Sequence, residues 1–255
     1  MKVRLFEIFT SVEGEGILYG TKTLFVRLAG CPFTCFYCDT KESLPLDSGT
    51  EYSIDEATQL IDSNLQNQTY KVNFTGGDPL IQHQAVAQLA KHIQMKKIPT
   101  YLESSCFDID RFNHVLPFID IVKIEFKTKD SDFVDSEHYE KLISHTMKCL
   151  ESSVNSKKIT FIKIVVSSKT QPTEFKKLIT NIFEIISKDN IDGFVIQPTY
   201  GVSEPSLDLL LNLYDIVFPY YIDVKVVPQL HKFIGAPYLG ISIKIRLGSN
   251  TRKIG

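Results

Sequence analysis

Residues 71–103 read KVNFTGGDPLIQHQAVAQLAKHIQMKKIPTYLE. Lys71–Thr75 is short, largely apolar and rich in strand formers, as a strand buried on both faces is. Gly76-Gly77-Asp78-Pro79 is a turn signal that stops it. His83–Met95 then carries its apolar residues at helical spacing, and Thr100–Glu103 returns to strand composition. Strand, turn, helix and strand in this order argue for two parallel strands joined by a crossover helix.

The same alternation extends in both directions. Further strands are expected at Thr23–Leu28, Ile119–Glu125, Thr160–Val166, Gly193–Gln197 and Ile222–Val227. Further helices are expected at Ser53–Leu65, Glu137–Leu150, Pro172–Ser187 and Pro205–Val217. The Ser53-x-x-Glu56 pair is a capping box that fixes the first helix start. The pattern predicts an α/β fold with a parallel sheet, a full or partial (βα) barrel first and a doubly wound open sheet second. No internal repeat, low-complexity tract or linker divides residues 1–255, so one domain is expected.

The chain has 255 residues, 43% hydrophobic and 23% charged, with a net charge of −2. That is ordinary globular composition, and it offers no overall basic surface for direct nucleic-acid binding. Charges at Lys2, Arg4, Glu7, Glu13 and Glu15 leave no apolar region for a signal peptide. No apolar run reaches the roughly 18 residues of a membrane span. A cytoplasmic location is the default expectation, and there clustered cysteines point to metal or catalysis before disulfides.

Directly after the first strong strand comes Gly30-Cys31-Pro32-Phe33-Thr34-Cys35-Phe36-Tyr37-Cys38-Asp39-Thr40. The C-x3-C-x2-C spacing suits a loop wrapped around a compact cluster, and thiolates are the soft anionic ligands that iron–sulfur clusters select. Three ligands for a 4Fe-4S cluster leave one iron open, the general sign of a reactive centre. Two other readings stand beside this one. They are three core cysteines close together by chance and a Cys3His zinc site, although no His lies nearby in sequence. Cys106 and Cys149 stand alone and read as buried, inert thiols.

With an aromatic residue, Tyr37, before the last cysteine, the loop resembles the signature of the radical S-adenosylmethionine superfamily. The resemblance implies that S-adenosylmethionine chelates the open iron and is cleaved reductively to a 5′-deoxyadenosyl radical that abstracts a substrate hydrogen. Gly76-Gly77-Asp78-Pro79 is similar to the superfamily's Gly-Gly-Glu-Pro motif, which binds the methionine amino group, with Asp78 one methylene shorter. On this resemblance Tyr37, Gly76, Gly77, Asp78 and Lys127 are the S-adenosylmethionine residues.

The flanking segments Phe9–Gly16, Phe25–Cys31, Cys38-Asp39-Thr40 and Gln229–Pro237 closely resemble the 7-carboxy-7-deazaguanine synthase family. The resemblance covers most of the chain. It implies conversion of 6-carboxy-5,6,7,8-tetrahydropterin to 7-carboxy-7-deazaguanine and ammonia, on the way to queuosine or archaeosine. Substrate contacts are then expected from Glu13, Glu15, Gly16, Arg27, Thr75, Glu103, Gln197 and His231, with the Thr40 hydroxyl on Mg²⁺. The chemistry suits such a substrate: Arg27 offers a planar fork for a carboxylate, and Glu15 and Glu103 accept from the guanidine-like edge. Mg²⁺ takes hard oxygen ligands and commonly few from protein. The chain departs from the family pattern at Glu13 (usually Gln), at Glu103-Ser104-Ser105-Cys106 (usually Glu-Thr-Asn-Gly) and at Phe126-Lys127 (usually Pro-Lys). A homodimer and an external one-electron donor of flavodoxin or ferredoxin type are also implied.

Two alternatives compete. One is another small radical enzyme, such as a glycyl-radical activase; the other is an iron–sulfur electron carrier, which normally closes its cluster with a fourth Cys. Residues 238–255 form a C-terminal extension. Ile241, Ile243, Ile245 and Leu247 alternate there with polar residues, as in a half-buried strand at a dimer contact or a sheet edge.

Overall fold

The computed structural model describes residues 1–131 and 136–238, with the side chains of 1–131 and 138–234. The expected C-terminal extension therefore lies outside the described residues, apart from its first residue. In chain order the elements are β1 (Lys2–Val12), β2 (Lys22–Leu28), β3 (Thr50–Ser53), α1 (Ile54–Asn64), β4 (Lys71–Gly76), α2 (His83–Met95) and β5 (Thr100–Ser104). Then follow α3 (Ile109–Val115), β6 (Ile121–Phe126), α4 (Ser136–Asn155), β7 (Ile159–Val166), α5 (Pro172–Ile185), β8 (Gly193–Pro198), α6 (Leu207–Val217), β9 (Val224–Val226) and α7 (Leu230–Tyr238).

The strands form one sheet of order β3-β1-β2-β4-β5-β6-β7-β8-β9. From β2 to β9 every pairing is parallel, while β1 runs antiparallel to both β2 and β3. The two ends of this order do not meet, so the fold is a partial (βα) barrel with a largely parallel sheet. The expected strands and helices from residue 22 to 226 are present, with ends shifted by a few residues.

Four elements were not expected: β1, β3, α3 and α7. In β1 the alternation of buried Val3 and Leu5 breaks at a register shift between Leu5 and Glu7, and the next buried residue is Ile8. One extra residue moves the following side chains to the other face, which hides the strand's period. α3 is a short helix whose start is fixed by Asp108, the side chain of which accepts from the Asp110 and Arg111 N–H groups. That is ordinary N-capping.

The main core lies between the sheet and its helices. Val122, Ile124 and Phe126 of β6 and Ile162, Ile164 and Val166 of β7 face it. The inward faces of the same strands carry something else. At the base, Tyr101, Ile121 and Phe161 form a small apolar cluster, covered by Ile17 and Leu18 from the loop after β1. That loop closes on itself through the Glu13 N–H to the Thr21 carbonyl (2.7 Å) and the Gly20 N–H to the Glu13 carbonyl (2.8 Å). Gly16 has to be glycine here: its φ is +70°, and a Cβ would stand 2.7 Å from the Phe161 ring. The plugged base sets the floor of the cavity above it.

Candidate active site

The site opens at the carboxyl ends of the parallel strands, the usual place in βα folds. There the loops after β2, β4, β5, β6 and β8 surround a cavity of about 1180 Å³. Every residue expected from the sequence to contact the cluster, S-adenosylmethionine, the substrate or Mg²⁺ lines this cavity, except Gly16, which shapes the floor.

Cys31, Cys35 and Cys38 all sit partly exposed on the loop that follows β2. The Gly30 and Cys31 N–H groups bind the Ser43 and Leu44 carbonyls at 2.9 and 3.0 Å, and the Cys38 N–H binds the Cys35 carbonyl at 3.0 Å. These bonds fold the loop so that its three thiols belong to one cavity wall. Burial pushes the Cys31 thiol up to about 12, with the nearby Asp78 adding to the effect, and burial also raises Cys38. Cluster assembly must therefore displace protons from these thiols. Three accessible soft ligands on one loop fit a 4Fe-4S cluster with an open iron.

The paired glycines serve packing first. A Cβ on Gly76 would lie 2.2 Å from the Leu28 carbonyl oxygen, and one on Gly77 would lie 2.3 Å from that of Gly30. The Asp78 N–H binds the Gly30 carbonyl at 2.7 Å, so the turn after β4 lies directly under the cysteine loop. The Asp78 carboxylate, expected from the sequence to meet an ammonium, is 2% exposed. It accepts from the Leu80 N–H (3.0 Å), the Ser104 hydroxyl (2.9 Å), the Ser105 N–H (2.9 Å) and the Ser105 hydroxyl (2.6 Å). The shorter acid and the two serines thus belong together, since Ser104 and Ser105 supply three of its four donors. Burial raises Asp78 above its ordinary value even against these donors.

Lys127 holds Glu125 in a short contact and lies 5.3 Å from the centre of the Tyr37 ring, whose hydroxyl is 3.3 Å from that of Ser131. The Thr40 hydroxyl donates to Asp39 Oδ1 at 3.2 Å. Asp39 also meets His231 Nε2 at 3.0 Å and Lys232 at 3.4 Å, which ties α7 to the cysteine loop. Donor atoms of Glu15, Asp39 and His231 lie within 4.8 Å of one another. Beside the Thr40 hydroxyl, this oxygen-rich corner fits a hard divalent cation.

Arg27 occupies a position on β2 between Glu7 of β1 and Thr75 of β4 in register. Its Nε donates to Glu7 Oε1 at 2.8 Å, and its guanidinium lies 5.7 Å from the Phe9 ring. Among the described residues no bond occupies its terminal nitrogens, and Arg27 lines the cavity. Gln197 is 2% exposed, and its Oε1 has no partner among the described residues.

Sequence reasoning passed over the ionic layer between the floor and the cofactor loops. Register sets Glu103 beside Lys123 and Glu125 beside Lys163. Lys123 lies 2.9 Å from Glu125 and 3.6 Å from Glu103; Lys163 lies 3.1 Å from Glu125 and 2.5 Å from Glu15. Gln229 donates to the other Glu15 oxygen at 2.8 Å. Burial works to raise the Glu103 carboxyl, but Lys123 and Lys163 outweigh it and hold the group at about 2. For Glu125 the same contest, with Lys127 added, ends well below the carboxylate range. Glu13 is the exception: burial and Glu103 raise it to about 7 despite Lys71. The available signal was a lysine inside an otherwise apolar strand, as at Lys123 and Lys163, where the inward face of a barrel must carry it.

Residues 12–146 match the family described as a 4Fe-4S single cluster domain. A 7-carboxy-7-deazaguanine synthase of Archaeoglobus fulgidus is 31% identical to this chain over 92% of it and 99% of that protein. One from Methanocaldococcus jannaschii is 28% identical over 90% of this chain and 98% of that protein. The fold is similar to the crystal structure of QueE from Escherichia coli, with a TM-score of 0.62, 19% identity and coverage of 91% and 95% of the two chains. Full-length similarity above 30% identity, together with the three cysteines on the cavity wall, assigns the chain to the 7-carboxy-7-deazaguanine synthase family, within the radical S-adenosylmethionine superfamily.

Proposed function

We propose that this chain converts 6-carboxy-5,6,7,8-tetrahydropterin to 7-carboxy-7-deazaguanine with loss of ammonia, a carbon–nitrogen lyase reaction that contracts the ring. The observation that carries the reading is one cavity that joins the three thiols, a free guanidinium fork and several carboxylates. When bound, the cluster and S-adenosylmethionine supply one-electron cleavage and a carbon-centred hydrogen acceptor. The protein's residues bind and orient. Arg27 takes the substrate carboxylate with its terminal nitrogens while Glu7 fixes the side chain from behind. Glu15 and Glu103 accept from the amino-pyrimidinone edge, each held as a carboxylate by neighbouring lysines. Gln197 Oε1 offers a further acceptor. Thr40, beside Asp39, would help to hold Mg²⁺, which would supply a hard cation for substrate oxygens. Family resemblance supports a homodimer, an external flavodoxin- or ferredoxin-type donor and a place in queuosine or archaeosine synthesis.

The test is an anaerobic assay of the reconstituted enzyme with the carboxylated pterin, S-adenosylmethionine and a one-electron reductant. 5′-Deoxyadenosine and the deazapurine should appear together, faster with Mg²⁺. Pterin left unchanged while 5′-deoxyadenosine accumulates would refute the substrate assignment.

A further inference from the structure

Lys71 opens β4 at the floor of the cavity and is completely buried. Its ammonium has three hydrogens and three oxygen partners: Glu13 Oε2 at 2.9 Å, Thr23 Oγ1 at 2.6 Å and Thr21 Oγ1 at 3.2 Å. The face of the Tyr101 ring lies 5.2 Å away. Asn73, two residues further along the strand, also points its Nδ2 at Glu13 Oε2, at 3.4 Å. Both donors therefore reach the same carboxylate oxygen. Oε1 of Glu13 takes no bond among the described residues, and Glu13 lines the cavity. A lysine is not buried at this depth without reason, since an unpaired internal charge is strongly unfavourable.

We infer that Lys71 is a positioning residue for the substrate: by holding Oε2 of Glu13 it presents Oε1 as an acceptor to one N–H of the pterin ring. The inference rests on the proposed function and adds to it a residue that does not touch the ligand. A carboxylate accepts and does not donate, so the cation that fixes the orientation of Glu13 helps to decide which ligand edge fits. The groups facing Glu13 are Glu15 on its own loop, Lys71 and Asn73 on β4, and Tyr101 and Glu103 on β5. Burial, Glu103 and Glu15 all favour the protonated acid, and Lys71 is the cation that opposes them. Among the described residues, removing Lys71 leaves the Glu13 carboxyl with no cation to hold its Oε2. The remedy is then chemical: glutamine at position 13 restores a neutral carbonyl acceptor that needs no cation.

The experiment uses reconstituted wild type, Lys71→Met, Glu13→Gln and the double variant, each checked for iron content and near-UV circular dichroism. Lys71→Met should raise KM for the carboxylated pterin by about ten-fold or more, with KM for S-adenosylmethionine and pterin-independent cofactor cleavage unchanged. Adding Glu13→Gln to it should bring KM back to within about three-fold of wild type. Glu13→Gln alone should be worse than the double variant, because it strands the buried ammonium. If Lys71→Met fails to fold, the double variant still decides, since the inference requires it to fold and to bind pterin. Wild-type KM in Lys71→Met, or a double variant no better than either single one, overturns the inference while the proposed reaction stands. A wild type inert toward the pterin overturns both.

Discussion

At the scale of single residues, the arrangement around Arg27 decides what the site recognises. The side chain is 18% exposed and braced on two sides, by Glu7 at its Nε and by the Phe9 ring. A guanidinium held in this way keeps its end-on fork for a planar anion and loses little freedom on binding. Replacing it with Lys keeps the charge and loses the fork. We expect Arg27→Lys to raise KM for the pterin by about ten- to a hundred-fold, the equivalent of one charge-assisted bond pair, with S-adenosylmethionine binding unaffected. Arg27→Ala, measured in the same way, should be worse; normal pterin kinetics in either variant would remove Arg27 from the site. Arg27, like the three cysteines, was legible in the sequence because its neighbours in the chain form a local motif. Lys71, Lys123 and Lys163 were not legible. Lys71 and Lys163 each lie alone in an apolar run, with counter-ions from another strand or from the loop before β2, and Lys123, though two residues from Glu125 on its own strand, also faces Glu103 of β5.

At the scale of elements, the site depends on two turns in contact. The turn after β4 passes beneath the cysteine loop so closely that neither Gly76 nor Gly77 has room for a methyl group. Gly76 also needs φ +143°, so its replacement combines strain with a clash, while Gly77 isolates the clash. Gly77→Ala should cost about 1–3 kcal/mol in unfolding free energy, as overpacking does. It should also displace Gly30 and Cys31 and reduce the iron retained after reconstitution. Full iron content together with an unchanged denaturation midpoint would show that the two turns move independently. The sequence made the alternation from β2 to β9 legible because each strand is an apolar run bounded by turn residues. It concealed β1, where the register shift breaks the period, and α3, which is too short for periodicity to register. It also concealed the direction of Asp78, because the partners of that carboxylate come from the end of β5.

At the scale of the whole molecule, a partial barrel whose interior is ionic is stable over a limited pH range, and the carboxyl groups set its sign. Glu103 and Glu125 have lowered values in the folded chain, so their stabilisation is complete above the unfolded value near 4.5 and is lost as pH falls toward about 2. For Glu103 alone that is on the order of 3 kcal/mol. Glu13 works the other way. Its value is raised to about 7, so its contribution is fullest below about 4.5 and is lost as pH rises through 7. The two effects together place maximum stability on the acid side of neutrality, between pH about 4.5 and 6. Urea unfolding of the cluster-free chain across pH 3 to 8 should give a denaturation midpoint that rises as pH falls from 8 to about 5, then drops steeply below 4.5. Glu103→Gln should flatten the acid limb and also shrink the neutral limb, because the Glu103 charge helps to raise Glu13. A midpoint that rises steadily up to pH 8 would mean that Glu13 is ionised throughout and that Lys71 outweighs its burial. A midpoint unchanged between pH 4.5 and 3 would mean that the Glu–Lys layer contributes no net stability, and that its role is confined to holding the substrate's acceptors in their charged form.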